Sequence, residues 1–229
     1  MSGCTLELAP AVAVASLIQT GTLGGVARGP FTTAMPCPNS AKSRPDPAAR
    51  KLLDDQVICA VMCCCAEKPN IGAAERNLRD DCATEVLAAA DKALGHKSRY
   101  KPQISYDMRP DGSGPPTPLM HRVDGPASTI PSERWQQQAK EMIEGYAGGK
   151  GLVRRPDIVI VDDSCLPPVS SNIERVIELK FGADTRNPQQ DKAYELIAGG
   201  AAKYQVFRTG GVPEKGEHIT AKTSACAKP

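Results

Sequence analysis

The sequence predicts an α/β (α+β) domain whose core runs helix, three strands, helix, strand around a mixed central sheet, with a helical N-terminal extension. Three observations carry this prediction. The run Ile158-Val159-Ile160-Val161 and the run Ile177-Glu178-Leu179-Lys180-Phe181 are short, rich in branched side chains and bounded by turn residues, so both read as buried strands. An amphipathic helical pattern precedes them at about 71–94, and another follows at 188–198. A last β-forming run at 203–208 closes the order.

Taken along the chain, residues 1–46 mix a short apolar stretch with many Gly and Pro and predict an extended arm that a partner could hold. Asp46-Pro47 then reads as an N-cap followed by Pro at the first helical position. That helix is expected to reach about Ala66, with Leu52, Gln56, Cys59 and Cys63 on its inner stripe. The next helix, 71–94, has Ile71, Ala74, Leu78, Cys82, Val86, Ala89 and Ala93 as its apolar stripe, and Glu75 and Glu85 fall inside it. A carboxylate on a buried face is the informative exception. A strand is expected at 100–108 from Tyr100, Ile104 and Tyr106. The segment 109–131 is dense in Pro, and Ser132 can cap a helix over 133–146 with Trp135, Ala139, Met142, Ile143 and Tyr146 inward; together these form an insertion, 109–150. The two central strands follow at 157–161 and 174–181, then a helix at 188–198 that puts Gln190 and Tyr194 on one face. Residues 1–66 therefore read as arm and helix, 67–210 as the main domain, and 211–229 as a flexible tail.

Composition narrows the class. With 229 residues and 41% apolar content, the chain can bury a core. The net charge of +2 gives no overall basic field, so contact with nucleic acid would need a local patch such as Lys150, Arg154, Arg155, Lys180 and Arg186. The nine cysteines are odd in number, contain no C-x-x-C pair and include the run Cys63-Cys64-Cys65, which argues for buried, reduced thiols in a chain made in a cytosol. No segment reaches the ~18 apolar residues of a membrane helix. The first residues lack the basic start of a signal peptide. The histidines His96, His121 and His218 fall in expected loops or tail and read as surface residues.

The chemistry concentrates at the two central strands. Alternation puts Val176, Glu178 and Lys180 on one face and Ile177, Leu179 and Phe181 on the other. Two charges on a buried strand are costly unless something uses them. If the strands pair, Asp157 and Glu178 converge with Lys180 beside them, which is a divalent-metal site next to an ammonium group. The plainer alternative is a Glu178–Lys180 salt bridge on an exposed face, with Asp157 as a turn residue.

The pair Pro156-Asp157 and Glu178-Leu179-Lys180, in this element order, resembles the PD-(D/E)xK nuclease superfamily and its restriction-endonuclease-like fold. Gln190-Asp191-Lys192-Ala193-Tyr194 matches the Q-x-x-x-Y element of some branches, and Arg155-Pro156-Asp157-Ile158 with Ile177–Lys180 and Gln190 is similar to the VRR-NUC branch. The same residues are similar to the restriction-endonuclease-fold (Tox-REase) toxin domains of type VI secretion effectors. Ala74-Glu75-Arg76-Asn77-Leu78 resembles the first helix of archaeal Holliday-junction resolvases.

The resemblance implies an Mg²⁺- or Mn²⁺-dependent deoxyribonuclease. Asp157, Glu178, the Leu179 carbonyl and Glu75 would hold the metal, with Glu85, Glu141 or Glu144 as other choices for the helix carboxylate. Lys180 would orient or deprotonate water or stabilise negative charge, and Gln190 would position it. Tyr194, Arg154, Arg155 and Arg186 would meet the substrate. It further implies DNA as partner, a cognate immunity protein, and a secretion spike, chaperone or adaptor. The producer's cytoplasm would make the chain, and a target cell's cytoplasm would receive it. A DNA-repair or junction-resolving nuclease is the alternative, and a non-catalytic binding or adaptor protein on the same fold is the alternative of another class.

Overall fold

A computed structural model describes residues 46–73, 77–109, 114–122, 128–210 and 217–219. The arm 1–45, the Ala74-Glu75-Arg76 element and most of 211–229 lie outside the described residues. Helix α1 spans Pro47–Glu67, and the Asp46 side chain caps it by accepting from the Ala48 and Ala49 amides. A short antiparallel pair follows, β1 (Asn70–Ile71) with β2 (Asn77–Leu78), and then α2 (Arg79–Ala93). Strands β3 (Tyr100–Pro102), β4 (Tyr106–Asp107) and β5 (Thr117–Pro118) lead to α3 (Trp135–Met142). The chain continues through β6 (Val153–Arg154), β7 (Ile158–Val161), β8 (Ile173–Phe181), α4 (Pro188–Ala198), β9 (Tyr204–Thr209) and β10 (Glu217–Ile219).

The main sheet has the order β10-β9-β8-β7-β3 and is mixed. β7 pairs antiparallel with both β3 and β8, while β9 runs parallel to β8. Parallel neighbours require a crossover, and α4 supplies it. Its caps are written locally: Asn187 accepts from the Gln189 and Gln190 amides, Pro188 opens the first turn, and Gly199 closes it at φ 79°. Alternation along the strands then sorts the core into two layers. Ile158, Ile160, Ile177, Leu179 and Phe181 pack with α1 and α2. Val159, Val161, Val176 and Val206 pack with Tyr194, Ile197 and Ala198 of α4. A smaller sheet, β5-β4-β6, and α3 share a third cluster around Leu119, Ala139 and Ile143.

Several expectations need correction. α1 turns inward with Asp54, Val57, Ile58, Cys59, Val61, Met62 and Cys65, so Cys59 lies inside as expected, whereas Gln56 is exposed and Leu52 is 60% exposed. The buried Asp54 decides that phase: it accepts from Tyr100 Oη at 2.7 Å and Arg175 Nη2 at 3.0 Å, so the polar residue sits on the inner stripe because the sheet supplies its donors. α2 begins at Arg79 rather than at 71, and Ile71 is exposed on β1. The strand expected at 100–108 is two strands in two sheets, broken at Gln103, which holds φ 49°. α3 is shorter than 133–146: Ile143 is extended, Gly145 takes φ 66°, and Met142 is exposed. The expectation of reduced thiols fails for Cys63, Cys65, Cys82 and Cys165, which are disulfide-bonded; Cys65 and Cys82, whose Cα atoms lie 5.7 Å apart across the α1–α2 corner, bond to each other. His96 is not a plain surface residue, because its Nδ1 lies 3.0 Å from the buried Asp91. β10 falls within the stretch expected to be a tail and extends the main sheet beside β9.

Candidate active site

β7 and β8 position the central pair. Ile158 pairs with Ile177, so one residue earlier Asp157 falls opposite Glu178. Like charges facing each other across strands oppose pairing unless something compensates them. The compensation for Asp157 is the Leu179 amide, which donates to its Oδ2 at 2.7 Å. Glu178 is 4% exposed, which rules out an exposed strand-face salt bridge. Its Oε1 accepts from Lys180 Nζ at 2.6 Å and from Gln190 Nε2 at 3.1 Å. Its Oε2 is buried with no donor.

The electrostatics follow from that geometry. Burial, and then the neighbouring Glu178 charge, push the Asp157 carboxyl well above the ordinary carboxylate range, against the pull of the Leu179 amide. Burial also raises Glu178, although Lys180 draws it down. For Lys180, burial acts downward but is outweighed by Glu178 and Asp157, and the net shift is upward. The two carboxyl groups are close enough to share a proton.

α4 braces this centre. Gln190 Nε2 also meets Tyr194 Oη at 2.9 Å, and Tyr194 Oη donates to the Arg155 carbonyl at 2.7 Å. The expected Gln190/Tyr194 face therefore ties Glu178 to the corner that carries Pro156-Asp157. Burial raises the Tyr194 hydroxyl, and Glu178 adds to it, so it remains protonated as a donor.

The basic residues divide. Arg186 is held by Asp191, at 2.9 Å, and Lys180 by Glu178. Arg154 is half-buried in β6, while Lys150 and Arg155 are exposed. Of the five expected patch residues, Lys180 and Arg186 are therefore held by carboxylates.

At the helix carboxylate, sequence expectation and structure part. Glu75 lies outside the described residues. Glu85 is exposed and takes the Asn70 amide at 2.7 Å, while Glu141 sits on α3 with Gln137 and Arg122; Glu144 is exposed beyond that helix. The acid that shares the field of the centre is Asp80, in the first turn of α2. Burial and then Asp184 raise it, Lys180 lowers it, and it in turn acts on both Asp157 and Glu178. Asp80-Asp81 is an acidic first-turn signal. It becomes legible only when the helix is started at 79.

Among the described residues, no group of three or more His, Cys, Asp and Glu is gathered closely enough to hold a metal ion. The close pair is Asp157 and Glu178. No helix among the described residues is long and apolar enough to cross a membrane. Comparison of the chain with protein-family models, curated proteins and solved structures gave no match.

Proposed function

We propose that this chain is a metal-dependent nuclease of the PD-(D/E)xK type, with a restriction-endonuclease-like core, that hydrolyses DNA phosphodiester bonds. The observation that carries the reading is the opposed pair of Asp157 and the buried Glu178, with a donorless Glu178 oxygen and the Lys180 ammonium alongside. Two facing carboxylates share one ammonium and keep one empty acceptor, so the pair is short of one positive charge. The donor set is all hard oxygen, which fits Mg²⁺ or Mn²⁺ better than zinc. Asp157 and Glu178 would hold the ion, with Asp80 at the rim in the place that the resemblance gives to Glu75. When bound, such an ion supplies charge relief to the phosphate and activates a water.

The chain's own residues do the rest. Lys180, ion-paired with Glu178, is an ammonium suited to stabilising negative charge that develops at the phosphate. Gln190 fixes Glu178 and restrains where Lys180 can reach. Tyr194, through the Arg155 carbonyl, holds the corner that presents Asp157. The element order α2, β3, β7, β8, α4, β9 supports the αβββαβ reading of the core. The antibacterial role, with type VI delivery and a cognate immunity protein, rests on the resemblance. Its test is expression in a bacterial cytosol, where unimpaired growth and intact DNA sink it.

The decisive experiment for the chemistry is plasmid degradation with Mg²⁺ or with EDTA, comparing wild type with Glu178→Gln. Cleavage by the wild type that EDTA and the substitution each abolish supports the reading. An intact plasmid with Mg²⁺ and Mn²⁺, or full activity in Glu178→Gln, overturns it.

A further inference from the structure

The insertion brings one aromatic side chain to the rim of this site. Trp135, the only tryptophan in the sequence, opens α3, and the Arg155 guanidinium lies over its ring with Cζ 5.2 Å from the centroid. The indole is packed against the cluster of Leu119, Ala139 and Ile143. Arg155 stands two residues before Asp157, and Gln103 holds its guanidinium from the side. Nε donates to the Gln103 carbonyl at 3.3 Å, and Nη2 to the Gln103 Oε1 at 2.8 Å. Gln103 is itself anchored twice: its amide donates to the Asp157 carbonyl at 3.0 Å, and its Nε2 to Thr84 Oγ1 of α2 at 3.0 Å.

The result is a cationic plane restrained from one side by Gln103 and the indole and still facing solvent, since Arg155 is exposed. Among the described residues no carboxylate pairs with it. A free arginine on the surface loses side-chain entropy when it binds; one already held by a ring and a glutamine loses little. Planar guanidinium groups take two ligands well, a phosphate at the edge and a nucleobase on the face. A phosphate can be reached at the edge in any nucleic acid. The face can be used only by a base that has left its own stack.

We infer that Arg155, backed by Trp135, is a stacking platform for an unpaired base, so that the site prefers single-stranded or frayed nucleic acid to closed duplex. The inference rests on the nuclease reading for its substrate class. It also gives the insertion a purpose, because α3 is the support that keeps the platform flat. Stacking, not charge, sets the preference.

The test uses the full chain with Asp157→Asn, in EDTA, so that nothing is cut. A labelled oligothymidylate and a blunt hairpin duplex are titrated separately, with binding followed by anisotropy and by emission of the single tryptophan. The expected result is about tenfold tighter binding of the strand than of the duplex, with emission quenched by the strand only. Adding Arg155→Lys keeps the charge and loses the plane; it should weaken strand binding about tenfold and leave the duplex nearly unaffected. Trp135→Leu should behave like Arg155→Lys, and Trp135→Phe should retain part of the preference. Thermal melts of each variant identify any that fails to fold, and Arg155→Lys, outside the apolar cluster, carries the result if Trp135→Leu does. Equal binding of strand and duplex, no change in emission, or an undiminished preference in Arg155→Lys overturns the platform. A strand preference in a protein whose wild type never cleaves keeps the platform and discards the nuclease reading; cleavage without a strand preference does the reverse.

Discussion

Asp157→Asn should stabilise the metal-free protein. The side chain keeps its acceptor for the Leu179 amide, since an asparagine Oδ1 can take the place of Oδ2. What it loses is a negative charge directly opposite the buried Glu178. Cross-strand charge pairs are worth ~0.2–1 kcal/mol at ordinary positions. Burial takes this pair to the upper end or beyond, because charges repel more strongly away from water. An increase of about 1–2 kcal/mol would raise Tm by ~2–8 °C in a chain of this size. The gain should depend on pH in a defined direction. Both carboxyls have folded-state pKa values above the ordinary range, so the native state holds protons that the unfolded chain releases. Wild-type stability therefore falls as pH rises from the ordinary carboxylate range through those folded-state values. The gap between variant and wild type should be widest at alkaline pH and close as pH falls. Metal should act differently on the two proteins. At a hundred times its Kd, Mg²⁺ or Mn²⁺ would stabilise the wild type by ~2.7 kcal/mol, or ~5–11 °C, and the variant by far less. The assay is differential scanning calorimetry with EDTA and with each cation. A variant that melts lower than wild type in EDTA, or a wild type indifferent to both cations, would refute the reasoning.

Other predictions follow from the same geometry. Tyr194→Phe removes the donor to the Arg155 carbonyl and the partner of Gln190; it should cost ~1–2 kcal/mol in urea unfolding and lower kcat of DNA cleavage more than it raises KM. Lys101→Met removes the ammonium that donates to the buried Asp91 at 2.8 Å and leaves it the Ser98 amide and His96, so it should destabilise by at most ~3–5 kcal/mol in the same assay. Replacing Cys65 and Cys82 together by serine opens a link across 17 positions and should cost ~3 kcal/mol, seen as a lower Tm that dithiothreitol no longer changes through this pair. Asp80→Asn should weaken the cation-induced rise in Tm without abolishing it, because Asp80 acts on the pair from the rim.

The features legible in the sequence are those that local chemistry writes. Asn187, Pro188 and Gly199 mark both ends of α4, so its limits and its Gln190/Tyr194 face can be read directly. The β-branched runs mark β7 and β8, and alternation alone places Glu178 and Lys180 on the α4 side of the sheet. The features that escape are set by distant partners. Ile71 and Leu78 stand at a helical spacing, yet they belong to a strand pair, and a helix started there hides the acidic turn at Asp80. Tyr100 to Met108 looks like one strand because nothing local announces that Gln103 takes a left-handed conformation held by Arg155 and Thr84. Cys65 and Cys82 give no sign of their bond because spacing along the chain says nothing of the corner at which two helices meet.

The crossover α4 has a consequence for how the protein comes into being. Glu178 is synthesised before Gln190 and Tyr194, and β9 can pair in parallel with β8 only once α4 has folded back over the sheet. Asp157 and Glu178 meet through β7–β8 pairing, and their brace, 12 positions beyond Glu178, forms only when α4 docks. A chain made only as far as β8 thus has its acids without their support. On the nuclease reading proposed above, the topology is itself a delay between making the acids and supporting them.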